Sequence, residues 1–155
     1  DELKELLSYC PDTGIFTWVS GKRKGRVAGC SNGIGYIRIV INGERYGAHR
    51  LAWLYSYGSF PVDMIDHING VKDDNRIVNI RNATCSQNQI NRAIQSSNTS
   101  GIKGVSWNKG AKKWKVQIRI YGKKVYLGYF SDKDEAGEAY RKAADKHHGE
   151  FANYG

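Results

Sequence analysis

The chain has 155 residues, 40% of them hydrophobic and 25% charged, which allows a packed core and excludes wholesale disorder. Its net charge of +9 and sequence pI near 9.5 are typical of proteins that bind nucleic acid, although basic charge can also serve solubility alone. Three widely separated cysteines without a C-x-x-C pair exclude a zinc ribbon, and no apolar run approaches the ~20 residues that span a bilayer. We therefore expect a soluble, cytoplasmic protein with no membrane partner.

Short strands and one helix are predicted in the first part of the chain. Residues 1–7 indicate a short amphipathic helix, and residues 15–19 a strand. Asn42-Gly43 is a strong two-residue hairpin signal that joins a strand at 36–41 to one that begins at Glu44. A second helix is predicted over 49–55, before Pro61 interrupts the chain.

Residues 65–88 hold the densest group of chemically useful side chains. A short apolar strand delivers Asp66 and His67, and a polar loop, a strand at 80–83 and a helix follow, which makes a ββα unit. Phosphodiester cleavage needs a hard cation held by oxygen ligands and a base with a pKa near neutrality, and these residue types supply both. Adjacent strand residues point to opposite sides, so Asp66 and His67 serve one site only if the strand twists or bulges there.

Asp66-His67, Asn79 and Asn88 resemble the motif of the HNH family of ββα-metal nucleases, closest to the phage-type homing endonucleases. The resemblance implies that His67 is the general base, that Asp66 and Asn88 bind the metal, and that Asn79 fixes the His67 ring by a hydrogen bond. Asn88 stands where the family has its last histidine, which favours Mg²⁺ or Mn²⁺ over zinc.

Several residues of this region also have ordinary structural explanations. His67 taken alone would more often be a hydrogen-bonded loop histidine, and Asp73, Asp74 and Asn75 are interpreted as turn residues. His49-Arg50-Leu51 resembles a segment that precedes the motif in the same family. We assign His49 to structure or phosphate contact rather than to catalysis.

The last third of the chain predicts a basic sheet followed by a helix. Residues 98–130 contain eight lysines and arginines and no acidic residue. Residues 114–121 alternate between apolar and polar side chains, as in a strand with one buried face, and a hairpin leads into a second such strand. Ser131 or Asp132 is expected to cap a helix with an alanine-rich apolar stripe.

Three strands and a helix over 101–153 resemble the DNA-binding domain of the Apetala/ethylene-response-factor family, in which the sheet enters the major groove. Several family arginines and a tryptophan are replaced here, so the sequence leaves open whether the sheet reads bases or binds only the backbone. The predicted DNA-binding residues are Lys103, Ser106, Asn108, Lys115, Gln117, Arg119, Lys124 and Tyr126.

These observations together predict an α+β protein: a β-rich segment with a ββα-metal motif, then a three-stranded antiparallel sheet packed on one helix. The predicted domains are an HNH nuclease at 1–95 with its core at 61–92, a linker at 96–100 and a DNA-binding domain at 101–155. The predicted reaction is metal-dependent hydrolysis of double-stranded DNA to 5′-phosphate and 3′-hydroxyl ends, by a monomer unless double-strand cleavage requires a dimer. A catalytically inactive HNH-fold regulator and an RNA-directed nuclease are the alternatives.

Overall fold

The computed structural model describes residues 2–155, and the α+β class predicted from the sequence is confirmed. The chain divides into two compact units, Asp1–Thr84 and Cys85–Gly155. Within 2–155, no helix is both long and apolar enough to cross a membrane.

The first unit contains two short three-stranded sheets and a two-stranded ribbon, all antiparallel, in the orders β1-β2-β3, β4-β5-β6 and β7-β8. The elements are α1 (Glu2–Leu6), β1 (Leu7–Cys10), β2 (Ile15–Trp18), β3 (Val27–Ala28), β4 (Cys30–Ser31), β5 (Ile37–Ile41), β6 (Glu44–Gly47), α2 (Ala48–Tyr57), β7 (Met64–His67) and β8 (Ile80–Ala83).

Local sequence signals account for the limits of several of these elements. Asn42 and Gly43 have φ values of 50° and 86°, the left-handed conformation that a two-residue hairpin turn requires, and they join β5 to β6 as predicted. Helix α2 ends at Gly58, whose left-handed backbone lets its N–H donate to the carbonyl of Leu54. The predicted helix at 49–55 is confirmed, with one more residue at its start and two at its end.

The core of the first unit connects these sheets with α2. Leu7, Phe16, Ile39 and Leu51 are its largest fully buried apolar side chains, and they come from β1, β2, β5 and α2. Tyr9 of β1 packs on Phe16, with ring centroids 4.7 Å apart. The amino-terminal strands are therefore part of the scaffold that supports the ββα segment.

In the second unit, a helix packs across one face of an antiparallel sheet of order β11-β10-β9. Val116 and Ile118 of the central strand are buried with three helix residues, Ala136, Tyr140 and Ala144. Asp132 is the helix cap, since its Oδ1 accepts from the N–H groups of Asp134 and Glu135. The elements are α3 (Cys85–Ile90), β9 (Val105–Asn108), β10 (Lys113–Ile120), β11 (Lys123–Phe130) and α4 (Lys133–His148).

A β-bulge interrupts the alternation that the sequence predicted for this sheet. Val116 pairs with Gly128 but Gln117 pairs with Tyr126, so Leu127 is the extra residue of β11. The residues of β11 after Leu127 therefore lie on the opposite face of the sheet from the one that strict alternation predicts. Tyr129, which pairs with Lys115, lies on the same side as Tyr126.

The residues before β9 are held within the second unit by side-chain contacts. The ammonium of Lys103 donates to the carbonyls of Ile90 and Arg92, both at 2.6 Å. Ser100 is buried and its hydroxyl lies 2.8 Å from the carbonyl oxygen of Val105. The predicted linker at 96–100 thus lies inside this unit, and the proposed domain limits at 95 and 101 stay a prediction.

Candidate active site

Asp66 and His67 are the last two residues of β7, and both are buried. Asp66 is paired with Arg81 of β8 and His67 with Ile80, in regular register. Because neighbouring strand residues point to opposite sides, the two side chains leave this ribbon on different faces. The described β7–β8 pairing contains no bulge, so of the two conditions for a shared site of Asp66 and His67 only a twist of the strand remains.

A guanidinium group lies against the Asp66 carboxylate. Arg81 donates to Oδ2 of Asp66 through Nε and approaches it through Nη2, both at 2.9 Å. The side chains of Asp66 and Arg81 are 4% and 14% exposed, so this ion pair is largely withdrawn from solvent. Their opposition across β7 and β8 explains the contact, since directly paired residues of an antiparallel ribbon share a face.

The ring of His67 is held by the side chain of Asn75. Nε2 of His67 lies 3.3 Å from Oδ1 of Asn75, and the amide nitrogen of Asn75 donates to the carbonyl of Asp73 at 3.1 Å. That second bond fixes which end of the amide faces the ring. Because Oδ1 is an acceptor, Nε2 must carry the proton, and in the neutral ring Nδ1 then carries the basic lone pair.

Asn75 is itself fixed by the amino-terminal hairpin of the first unit. The buried hydroxyl of Tyr9 donates to the backbone carbonyl of Asn75 at 2.7 Å. Gly14 packs so closely that a Cβ there would lie 2.5 Å from the backbone of Asn75 and of Arg76. A segment more than sixty residues away in sequence therefore sets the position of the amide that contacts His67.

Asn79 stabilises the loop between β7 and β8 rather than orienting the His67 ring as predicted. Its Oδ1 accepts from the N–H of Asn69 at 3.1 Å, and its Nδ2 donates to the carbonyl of Asp74 at 2.8 Å. These two bonds use both ends of the amide to link the start and the end of the loop. The ring-orienting contact that the sequence assigned to Asn79 is made by Asn75.

An ion pair within the same loop adds rigidity. Arg76 donates to both carboxylate oxygens of Asp74, at 2.8 and 2.6 Å, and Asn69 donates to Oδ2 at 2.7 Å. This bidentate contact holds the pKa of Asp74 well below its usual range. Asp74 is thus a structural acid of the loop, consistent with its interpretation as a turn residue.

Two aromatic rings lie close to the ring of His67. The ring centroids of His49 and Tyr36 lie 5.4 and 5.9 Å from that of His67, and 5.4 Å from each other. Burial lowers the pKa of His49 to about 4, with further contributions from His67 and Arg50. The lowered pKa favours the neutral form of His49, and its assignment to structure or phosphate contact stays a prediction.

The pKa of His67 is also lowered, chiefly by burial, while its contact with Asn75 and the charge of Asp66 act in the opposite direction. A buried, neutral imidazole with a fixed ring is suited to accept a proton near neutral pH. The sequence identified His67 but missed Asn75, because an asparagine in a polar loop gives no sign of the ring it faces.

The donor atoms predicted for a metal are hard oxygens. Asp66 offers a carboxylate on β7, and Asn88 an amide oxygen on α3 in the second unit. In residues 2–155 no group of three or more histidine, cysteine, aspartate or glutamate side chains forms a metal cluster. Carboxylate and amide oxygens are each ligands of the kind that Mg²⁺ prefers to a greater degree than zinc does, and Mg²⁺ commonly keeps several waters and takes further ligands from substrate phosphates.

Most predicted DNA-binding residues lie on the sheet face opposite α4, which we call the outer face. Because Val116 and Ile118 are buried under the helix, the alternate residues of β10 and their cross-strand partners lie on the other side. The outer face consists of Ser106, Asn108, Lys115, Gln117, Arg119, Lys124, Tyr126 and Tyr129.

Two residues of the predicted set have partners inside the second unit. Lys103 is held by the carbonyls of Ile90 and Arg92, and burial lowers its pKa to about 8. Asn108 donates to the hydroxyl of Tyr129 at 3.2 Å and accepts from the N–H of Ala111. Tyr129 was not among the predicted DNA-binding residues. It lies on the outer face because the bulge at Leu127 places it opposite Lys115.

Comparison with known proteins agrees with the position of this site. The model of the HNH endonuclease family matches residues 46–90, which contain β7, the loop, β8 and all of α3. Protein 3.8 of Escherichia phage T7 is 31% identical over 107 residues, which cover 68% of this chain and 88% of that protein. The matched family region thus includes Asp66, His67, Asn75, Asn79 and Asn88.

Proposed function

Because this chain belongs to the family of phage T7 Protein 3.8 and carries an HNH endonuclease region, we propose that it is a metal-dependent DNA endonuclease with His67 as its general base. The observation that carries the proposal is the buried His67 ring, whose Nε2 faces the fixed acceptor Oδ1 of Asn75. A general base needs an unprotonated nitrogen and a fixed ring, and the contact with Asn75 supports both, since it holds the ring and leaves the lone pair of the neutral imidazole on Nδ1.

In the proposed reaction, Nδ1 of His67 takes a proton from the water that attacks the phosphorus of a DNA phosphodiester. The positive charge that develops on the ring is stabilised by the Nε2–H···Oδ1 contact with Asn75. The bond between phosphorus and the 3′ oxygen breaks, and that oxygen takes a proton from solvent water, which gives a 3′-hydroxyl and a 5′-phosphate end. Tyr9 and Asn79 serve as positioning residues, since they hold the loop that carries Asn75.

Asp66 is the proposed carboxylate ligand of a divalent ion, Mg²⁺ or Mn²⁺, and Asn88 the second ligand. Such an ion would stabilise the charge of the phosphate and of the leaving oxygen. Arg81 holds Oδ2 of Asp66, which orients the carboxylate as outer hydrogen bonds commonly do for metal ligands.

The outer face of the second unit is the proposed DNA-holding surface, in the manner of an Apetala/ethylene-response-factor domain. Its support is the absence of acidic residues from 98–130, together with exposed Arg119 and Lys124 and half-buried Lys115 on that face. A homing-type role in a phage or mobile element, within the host cytoplasm, is part of the same proposal. The homing type rests on the resemblance of the sequence motif, and the phage origin on the relative in phage T7.

A catalytically inactive DNA-binding protein is the second candidate function. The observation that favours it is the Asp66–Arg81 ion pair, because a buried guanidinium competes with a cation for the same carboxylate. In this case DNA would bind to the outer face without being cut.

The test is incubation of the full chain with supercoiled plasmid in the presence of Mg²⁺, Mn²⁺ or EDTA. We expect nicked or linear DNA only with metal, and nicks that DNA ligase reseals, because ligase needs a 5′-phosphate beside a 3′-hydroxyl. His67→Ala should reduce the cleavage rate by at least about a hundredfold.

His147→Ala is the matched control, since His147 is an exposed histidine in the last turn of α4. It should cleave like the unaltered protein. Intact plasmid under every condition, together with salt-sensitive DNA binding, would support the inactive DNA-binding protein instead.

A further inference from the structure

Two tyrosine rings stand next to each other on the outer face. Tyr126 and Tyr129 have ring centroids 5.4 Å apart in an edge-to-face arrangement, and their residues are 51% and 43% exposed. They are neighbours because the bulge at Leu127 places both on the side away from α4. Adjacent exposed aromatic side chains form a continuous apolar patch, and such patches often mark interaction sites.

The arrangement of the pair is held by surrounding contacts. Asn108 of β9 donates to the hydroxyl of Tyr129. Tyr126 lies across from Gln117 and Tyr129 across from Lys115, both on the central strand. The hydrogen bond from Asn108 and the contact between the two rings restrict the Tyr129 side chain, which lowers the entropy cost of presenting it to a ligand.

Positive charge surrounds the pair without acidic counterparts. Lys115, Arg119 and Lys124 share the outer face, and none of them takes part in an ion pair with any of residues 2–155. All six acids of the last third of the chain follow residue 130, on or beside α4. The face thus combines exposed aromatic rings with unneutralised cations.

That combination fits an unpaired strand better than a duplex. In a duplex the base faces are stacked on one another, and a protein reaches only base edges, sugars and phosphates. A single strand offers free base faces, and tyrosine can stack on any of them while lysines contact the phosphates. Lysine contacts are also compatible with a backbone whose spacing varies.

We propose that the outer face binds single-stranded DNA, with bases stacked on Tyr126 and Tyr129 and phosphates on Lys115, Arg119 and Lys124. The proposal deepens the DNA-holding part of the proposed function by naming the strand state that the sheet prefers. It is independent of whether His67 cuts DNA.

The test measures fluorescence anisotropy with the full-length His67→Ala protein, so that cleavage cannot interfere. The probes are a labelled 16-nucleotide strand of mixed sequence, the same strand annealed to its complement, and a strand of equal length with abasic sites at most positions. We expect the single strand to bind more tightly than the duplex. The abasic strand should bind about tenfold or more weakly, since it keeps the phosphates but loses the stacking faces.

Substitutions then assign the effect to the tyrosine pair. Tyr126→Leu/Tyr129→Leu should weaken single-strand binding about tenfold or more and leave duplex binding nearly unchanged. Tyr126→Phe/Tyr129→Phe, which keeps both rings, should restore most of the affinity. Tyr121→Leu is the matched control, because Tyr121 is 94% exposed in the turn between the same two strands, and it should bind normally.

Three results would overturn the proposal: equal or tighter binding of the duplex, equal binding of the abasic strand, or equal losses for both DNA forms in the leucine variant. If neither DNA form binds, the DNA-holding role fails as well, whereas metal-dependent plasmid cleavage would still establish the nuclease. Circular dichroism of each variant verifies that the loss is not one of folding.

Discussion

The side-chain oxygen of Asn75 lies 3.3 Å from Nε2 of His67, eight residues earlier in the chain. Asn75 is 2% exposed, and its amide nitrogen and backbone carbonyl have further partners in Asp73 and Tyr9. The residue therefore fixes the ring and is itself fixed. Any function of His67 as a base depends on this arrangement.

Asn75→Ala removes the acceptor that faces Nε2, so we expect the cleavage rate at saturating DNA to fall about 10- to 100-fold. The free energy of unfolding should fall by roughly 1–3 kcal/mol, because the Asp73 carbonyl loses its partner. Plasmid nicking and urea unfolding measure the two effects. Asn75→Asp keeps an acceptor for Nε2 and should retain more activity than the alanine variant. Its stability should fall at least as far, because a carboxylate oxygen then faces the Asp73 carbonyl where the amide donated.

The control for that comparison is Asn82→Ala, at an exposed position of β8, which should nick plasmid normally. If Asn75→Ala cleaves at the unaltered rate while remaining folded, Asn75 has no role in positioning His67.

Gly14→Ala should destabilise the first unit by roughly 2–4 kcal/mol. The residue has φ of +72°, and its Cβ would lie 2.5 Å from backbone atoms that cannot rotate away. Gly25→Ala shares the strained backbone, with φ of +81°, but meets nothing within 4 Å, so it should cost only about 1 kcal/mol. Thermal and urea unfolding measure the stability of the two variants, and the difference between them is the cost of the steric contact, since both share the strained backbone. Equal losses of stability would contradict the close packing of Gly14 on Asn75.

The stability of the protein should depend on pH through His49. Its folded-state pKa is about 4, below the ordinary value of 6.5, so the unfolded chain binds a proton first as the pH falls. The stability that neutral His49 contributes is therefore fully present above pH 6.5 and is lost as the pH falls towards 4. The loss is at most about 3 kcal/mol.

Urea unfolding of the unaltered protein and of His49→Phe at several pH values between 4 and 7 measures this contribution. The free energies of unfolding of the two proteins, plotted against pH, should converge as the pH falls, because the unaltered protein loses the contribution of His49 whereas phenylalanine does not titrate. Parallel curves would show that His49 is not held neutral by burial.

Lys103 and Lys124 should respond differently to replacement by alanine. The Lys103 ammonium is bound by two backbone carbonyls, so Lys103→Ala should lower the free energy of unfolding by roughly 1–3 kcal/mol. Lys124 lies exposed on the outer face, so Lys124→Ala should leave the free energy of unfolding unchanged and weaken DNA binding. A plot of the logarithm of the DNA affinity against the logarithm of the salt concentration should become less steep by about one. Urea unfolding measures the stability of each variant, and fluorescence anisotropy at several salt concentrations measures its DNA affinity. If Lys103→Ala made the DNA affinity less dependent on salt, Lys103 would be a phosphate contact instead.

The local elements of this protein were determined by the sequence itself. Asn42-Gly43 predicts the β5–β6 turn because few residues adopt its positive φ values, and Asp132 predicts the start of α4 because its carboxylate can accept from two free N–H groups. The alternation of 114–121 identified the buried face of β10, and the adjacent Asp66 and His67 marked the segment that the HNH family model matches.

Only the tertiary structure decided which groups these elements bring together. Asn75 faces His67, and Tyr9 holds Asn75 across sixty-six residues, through contacts that leave no periodic trace in the chain. The bulge at Leu127 reverses the side on which Tyr129 lies, although the residues around it alternate normally in the sequence. Propensity and periodicity act over a few residues, whereas a hydrogen bond or a change of register depends on how distant segments pack.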